Sequence, residues 1–198
     1  FFFSSTWRIR GLVLHHLQPL RLQNFRMNLW LPGGVILAVL VALVCVKPGP
    51  EIFEQEIVLN QQAMRCFQIV TDYKHYPSWV DSVKSTKSEV EPSAALPGTE
   101  FELIFARNYV DSNHLTAHIN EIVEGMRFSF TLDDFLKSEL NFTVKSLPNG
   151  ACKITVTMAS GSNSVINNNV IIPTVRMYLY NWMFKSMMAL KSVINVRE

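Results

Sequence analysis

Hydrophobic and polar residues alternate in a series of short stretches, which is the pattern of strands with one buried face. The stretches are 51–59, 99–107, 114–119, 126–132, 139–145 and 152–158, and a less regular one at 83–90 makes a seventh. The residues that the period of two assigns to the buried face of the later strands are Phe101, Leu103, Phe105, Met126, Phe128, Phe130, Leu132, Leu140, Phe142, Val144, Cys152, Ile154, Val156 and Met158. Because short turns join the stretches, we expect an antiparallel sheet of about seven strands.

Two segments have helical periodicity instead. Residues 61–71 place apolar side chains on one face, Asn60 is positioned to cap this helix, and a short helical turn is expected between Asp72 and Pro77. A long helix is predicted from Pro173 to about Val196, with an apolar arc wider than one core face needs. The apolar face of the sheet and the apolar face of the long helix can both be buried if the helix packs against the sheet. The pattern therefore predicts an α+β fold in which a curved sheet surrounds the C-terminal helix.

The stretch 29–46, LWLPGGVILAVLVALVCV, has 18 residues and no charge. As a helix it would be roughly 27 Å long, close to the ~30 Å of a hydrocarbon core. We predict a transmembrane signal-anchor here, with a cleaved signal peptide as the alternative. The expected organisation is an N-terminal extension at 1–28, this segment at 29–46, a linker at 47–50 and a folded domain at 51–198.

Charge is unevenly distributed along the chain. Residues 1–26 carry Arg8, Arg10, Arg21 and Arg26 and no acid; taking these four from the 18 Lys and Arg leaves 14 bases against 16 acids, about −2. Because basic residues stay on the cytoplasmic side, we expect a single-pass membrane protein with its domain in the lumen or outside the cell. Secretion and mitochondrial import, for which an acid-free, Arg-bearing leader is typical, are the alternatives. A further alternative is that translation starts at Met27. Residues 1–26 and their four arginines would then be absent from the protein, and the charge would no longer indicate the orientation.

Several classes of chemistry find no support in the sequence. The three Cys lie far apart, so buried free thiols are expected, with a Cys66–Cys152 disulfide as the alternative in an oxidising compartment. His114 and His118 fall on the predicted outer face, so no metal site is expected. There is no GxSxG, HExxH, P-loop or GxGxxG motif, and hence no expected cofactor.

A nearly neutral domain without a basic, aromatic-rich patch argues against nucleic-acid binding. The oligomeric state is left open.

The segment TDYKHYPSWVDSV, residues 71–83, carries a resemblance to a known family. Asp72, Tyr76, Pro77 and Trp79 follow the first helix, and Gly98 precedes the third strand. With the order of elements, this is similar to the START-like/polyketide cyclase-dehydrase superfamily (SRPBCC, helix-grip fold), over about residues 51–197. The resemblance implies a cavity between the sheet and the C-terminal helix that binds a lipid or another small hydrophobic ligand. Asp72 is expected to accept hydrogen bonds from backbone N–H groups freed at the turn.

The resemblance and the strand alternation together predict the cavity-lining residues, which are Tyr73, Tyr76, Trp79, Phe101, Phe105, Phe128, Phe130, Phe142, Met158, Trp182 and Met183. No inward-facing sheet residue is a strong acid or base, which favours a membrane-tethered, noncatalytic binder. A cyclase- or dehydratase-type enzyme would need an ionisable side chain in the cavity, and an interaction scaffold would have no cavity. The sequon at Asn141 faces outward in its predicted strand and would carry a glycan in the secretory pathway.

Overall fold

The structure, a computed structural model, describes residues 51–107 and 113–196. The predicted extension at 1–28, hydrophobic segment at 29–46 and linker at 47–50 lie outside these residues. Within the part described, no helix combines the length and the apolar composition needed to cross a membrane.

A seven-stranded antiparallel sheet forms most of the domain, with the order β1-β7-β6-β5-β4-β3-β2. The strands are β1 (Glu51–Leu59), β2 (Val83–Lys87), β3 (Glu100–Phe105), β4 (His114–Val123), β5 (Arg127–Leu132), β6 (Ser138–Ser146) and β7 (Cys152–Ser160). Each predicted strand is present with small shifts at its ends. The alternation is confirmed in β6, where Leu140, Phe142 and Val144 are buried and the residues between them are half-buried on the outer face.

One assignment to the buried face is wrong. Met126 is 62% exposed, because β5 begins one residue later, at Arg127. Met126 instead belongs to the turn after Gly125, whose φ of +71° is a left-handed conformation that suits glycine.

Two helices and three shorter helical segments complete the described part of the domain, one of the three being a 3₁₀ turn at Pro92–Ala94. Helix α1 spans Ala63–Thr71 and is followed directly by a 3₁₀ helix, Tyr73–Ser78. A short π-helix, Asn167–Ile171, which the sequence did not indicate, leads into the long helix α2, Ile172–Val196. The predicted cap at Asn60 is wrong, because α1 starts later and Gln62 occupies the N-cap position.

Helix α2 lies against the inner face of the sheet and is fixed to it by hydrogen bonds at several points. Arg176 Nε donates to the carbonyl oxygen of Ile52 at 2.7 Å, and Gln55 Nε2 donates to that of Tyr180 at 2.7 Å. Further along, Trp182 Nε1 donates to the carbonyl oxygen of Asp81 at 2.8 Å. The buried residues of α2 continue the core of the sheet. The predicted α+β, helix-grip arrangement is therefore confirmed.

A disulfide joins Cys66 on the buried face of α1 to Cys152 at the start of β7, across a sequence separation of 86 residues. The expectation of free thiols at these two positions is wrong, and the alternative pairing is correct. In the chain-entropy model, closing a loop of this size stabilises the fold by about 4–5 kcal/mol. The bond fixes α1 to the end of the sheet.

Candidate functional site

All eleven residues predicted to line a cavity are buried between the sheet and the helices. Their rings contact one another directly. Tyr73 stacks on Phe101 with ring centroids 4.5 Å apart, and Phe101 meets Phe130 edge-on at 5.3 Å. Phe130 is in turn 6.2 Å from Phe142. These side chains fill much of the space under the sheet, and we call them the aromatic cluster.

A cleft opens beside this cluster, where α1, the 3₁₀ helix and the C-terminal half of α2 meet. It has a volume of about 180 Å³. The residues that line it are Gln61, Arg65, Gln68, Ile69, Asp72, His75, Ser78, Trp79, Leu190, Val193 and Ile194. We call it the α1–α2 cleft. Of the eleven predicted residues, Trp79 alone lines it, so the cavity role of the other ten remains a prediction.

One side of the α1–α2 cleft is apolar. Leu190 and Ile194 are buried, and Ile69 and Val193 are half-buried. The two α2 positions Leu190 and Val193 are three residues apart and therefore share a helix face, while Ile69 faces them from α1. Apolar groups that line a concave surface are typical of sites for hydrophobic ligands.

The other side of the cleft is polar. His75 Nδ1 lies 2.7 Å from Asp72 Oδ2, so the Asp72 carboxylate pairs with this ring and does not cap the backbone as predicted. The hydroxyl of Ser78 donates to the backbone carbonyl of His75 at 2.7 Å. Arg65 is exposed at the rim, one helical turn after Gln61.

Trp79 connects the cleft to the aromatic cluster. Its ring makes edge contacts with Tyr76 at 5.0 Å and with Phe142 at 6.5 Å. The side-chain nitrogen Nε1 is shielded from solvent and has no hydrogen-bond partner within residues 51–107 and 113–196. A buried donor without an acceptor destabilises a protein by about 1–3 kcal/mol. Such a group is often found where a ligand supplies the missing partner.

Tyr76 supports the wall of the cleft from inside. Its hydroxyl donates to the carbonyl oxygen of Val70 at 2.7 Å, which ties the 3₁₀ helix to α1. Complete burial of the phenol raises its pKa well above the usual value of 10, with smaller contributions from Asp72 and Tyr73. The phenol therefore stays neutral in the folded protein at physiological pH.

Most of the cleft residues escaped the sequence prediction. Gln61, Arg65 and Gln68 recur at spacings of four and three, so a signal for one shared helix face was present. What the sequence did not indicate is that this face meets the far end of α2. Leu190 and Val193 belong to the apolar arc of the predicted C-terminal helix, but the sequence did not assign them to a site.

The outer face of the sheet is polar, as predicted for His114 and His118. His114 Nδ1 lies 2.9 Å from Glu102 Oε1, a hydrogen bond that lowers the pKa of Glu102, and His118 lies 3.2 Å from Glu100. In the described part of the chain no three His, Cys, Asp or Glu side chains are grouped so that they could hold a metal ion. Asn141 is half-buried on this face of β6, where Nδ2 donates to Glu139 Oε1 at 3.3 Å.

The comparison with known proteins identifies the fold. No protein-family model and no curated protein matches the chain. A START superfamily protein from Mycobacterium smegmatis superposes with a TM-score of 0.58 at 13% identity, covering 74% of this chain and 98% of the other. A protein from Chromobacterium violaceum gives 0.51 at 18% identity, covering 71% and 94%. An HSP90 activator from Plasmodium falciparum gives 0.51 at 12% identity, covering 72% and 95%.

Proposed function

We propose that this START-like domain binds a small hydrophobic ligand in the α1–α2 cleft. The observation that carries the proposal is the position of Trp79, which belongs both to the cleft and to the aromatic cluster. A ligand in the cleft would contact Ile69, Leu190 and Val193 on one side and the Trp79 ring at the base. Burial of apolar ligand surface against these groups supplies the driving force, at about 25 cal/mol per Å².

The size of the cleft limits the ligand. A volume of about 180 Å³ is below the ~300–1,000 Å³ of sites for drug-sized molecules. The cleft as it stands therefore suits a short apolar chain or one end of a longer molecule. A longer ligand would have to displace Trp79 and enter the aromatic cluster.

A noncatalytic role is favoured over a cyclase- or dehydratase-type enzyme. The ionisable groups of the cleft are Arg65, Asp72 and His75, and two of these already pair with each other. The hydroxyl of Ser78 donates its proton to the backbone carbonyl of His75. A serine nucleophile would instead donate to a base such as a histidine ring nitrogen, so Ser78 is not activated in this arrangement. The base of the cleft is the Trp79 ring, which carries neither an acid nor a base.

We further propose that residues 29–46 tether the domain to a membrane, with the domain on the lumenal or extracellular side. Two features support this orientation. The Cys66–Cys152 disulfide is of a kind that persists in oxidising compartments, and the sequon at Asn141 lies on the outer face of the sheet. Secretion after cleavage and mitochondrial import remain the alternative destinations.

Protein binding is a second candidate function, favoured by an apolar ridge on α2. Met177, Tyr180, Phe184 and Met188 are spaced by three and four residues and are 69%, 41%, 50% and 50% exposed. Solvent-exposed apolar stripes of this kind mark interaction surfaces. The similarity to an HSP90 activator gives a precedent for protein partners in this fold. Phe184→Glu should abolish binding of a protein partner to the apolar ridge, measured as loss of cross-links from a photoreactive residue at position 188. Binding of the small ligand in the α1–α2 cleft should be unchanged.

The ligand proposal is tested with a neutral apolar fluorophore, N-phenyl-1-naphthylamine. We expect saturable binding to the purified chain and a loss of at least about tenfold in Val193→Asp, because the carboxylate would have to be desolvated against the ligand. Val58→Asp is the matched control, since Val58 is 49% exposed on β1, away from the cleft. Equal affinities for the two variants would contradict the proposed site.

A further inference from the structure

Arg65 is the unbalanced charge of the α1–α2 cleft. Among the cleft residues the opposite charge is Asp72, whose carboxylate oxygen lies 2.7 Å from His75 Nδ1. Arg65 forms no ion pair and no side-chain hydrogen bond with any residue in the described ranges 51–107 and 113–196. Its guanidinium therefore presents a positive charge and several N–H donors at the rim of a cleft whose one side is apolar.

A second donor at the same cleft also lacks an acceptor. Trp79 is 3% exposed, and its Nε1–H finds no acceptor in the part of the chain that the structure describes. The indole N–H can only donate, and it carries no charge to attract a counterion from solvent. Because solvent does not reach Nε1 in this structure, a ligand acceptor would satisfy it once the Trp79 ring turns to bring Nε1 into the cleft. The cleft thus combines an apolar side with two separate donors, one of them cationic.

We infer that the ligand is a single-chain amphiphile with an anionic head, either a carboxylate or a phosphate monoester. This inference rests on the proposed function and specifies the ligand of the same cleft. The head pairs with Arg65, which suits planar, bidentate recognition of such groups. A head-group oxygen accepts from Trp79 Nε1 after the ring has turned toward the cleft. The chain packs against Ile69, Leu190 and Val193. At about 180 Å³ the cleft takes the head and the first few carbons of one chain.

The test compares three probes with the same eight-carbon chain, octanoate, octyl phosphate and octan-1-ol, titrated calorimetrically into the full chain. Arg65→Gln should weaken binding of both acids by about three- to fivefold, the upper part of the range for a solvent-screened, exposed ion pair. Binding of octan-1-ol should change less than about twofold. Arg127→Gln is the matched control, because Arg127 is an exposed arginine that pairs with Glu121 on the outer face. Trp79→Phe, which keeps an aromatic ring and removes the N–H, should weaken the acids by at least about threefold.

The outcomes separate the inference from the proposed function. Selective loss of the acids in Arg65→Gln supports the anionic head, and the tighter of the two acids then identifies it as carboxylate or phosphate. If Arg65→Gln affects acids and alcohol alike, or neither, the head-group inference is wrong while the apolar cleft stands. If none of the three probes binds saturably to the unmodified chain, the proposed function fails and the inference fails with it.

Discussion

Cys66 and Cys152 form a disulfide that joins α1 to β7, so the helix that provides one wall of the α1–α2 cleft is covalently fixed to the sheet. Cys66 points into the core, whereas Arg65 and Ile69 on the same helix line the cleft. The bond thus holds the buried side of α1 in place while its other side lines the cleft. Stability and the shape of the cleft are linked through this one bond.

Removing the disulfide should lower stability markedly. For Cys66→Ala with Cys152→Ala we expect the free energy of unfolding to fall by about 2–5 kcal/mol, because the unfolded chain regains the entropy of an open loop. Urea unfolding of the variant and of the parent under non-reducing conditions measures the difference. Alkylation and mass spectrometry of the parent should find no free thiol at either position. Quantitative labelling of both would contradict the pairing.

A charge placed in the aromatic cluster should prevent folding. Phe105 is 3% exposed and its ring lies 6.5 Å from Trp182. Phe105→Glu removes that packing and buries a carboxylate, so the loss should exceed the ~3–5 kcal/mol of a Phe→Ala truncation in a core. Ile104→Glu, at the next position on the outer face, is the control and should unfold near the parent's urea midpoint. A Phe105→Glu variant as stable as this control would show that position 105 does not face the core.

Stability should decrease at alkaline pH through Tyr76. The pKa of the folded phenol is raised by burial, whereas the unfolded one titrates near 10. The contribution of Tyr76 is therefore fully present below pH ~10 and is lost as pH rises toward the folded pKa, by up to ~1.4 kcal/mol per pH unit. Tyr76→Phe should be less stable at pH ~8, because the hydrogen bond to Val70 is gone, but should lose less stability between pH ~9.5 and ~11. Parallel pH profiles of the urea midpoint for parent and variant would refute this.

Glycosylation of Asn141 should report the side of the membrane. In a eukaryotic secretory pathway we expect partial modification, since Asn141 lies on the outer face but within a central strand and is half-buried. The measurement is gel mobility before and after N-glycosidase treatment, with Asn141→Gln as the unmodified control. An unshifted band, together with proteolysis of the domain from the cytosolic side of sealed vesicles, would reverse the proposed orientation.

The sheet was predictable from sequence because alternation is a local property. In β6 and β7, inward-facing and outward-facing residues alternate along the strand, so a stretch of about seven residues is enough to assign each residue to a face. The same local pattern could not place the start of β5, since Met126 continues the alternation although it still belongs to the turn after Gly125. The π-helix at Asn167–Ile171 had no sequence signal at all.

The cleft was largely unpredictable because it depends on packing between distant elements. Helical spacing showed that Gln61, Arg65 and Gln68 share a face, but nothing local revealed that this face meets Leu190. The disulfide is a similar case. The sequence pattern assigned Cys152 to the buried face of its strand and gave its pairing with Cys66 only as an alternative. Only the fold brings α1 against the start of β7.

The claim that the α1–α2 cleft binds a hydrophobic ligand is tested most directly by methyl NMR of the chain during titration with octan-1-ol. Because octan-1-ol is uncharged, it probes the cleft independently of an anionic head group. We predict shifts that saturate with one dissociation constant at Ile69, Leu190, Val193 and Ile194. The outer-face methyls of Ile104 should not move. An absence of saturable shifts, or shifts confined to the apolar ridge of α2, would contradict ligand binding in the α1–α2 cleft.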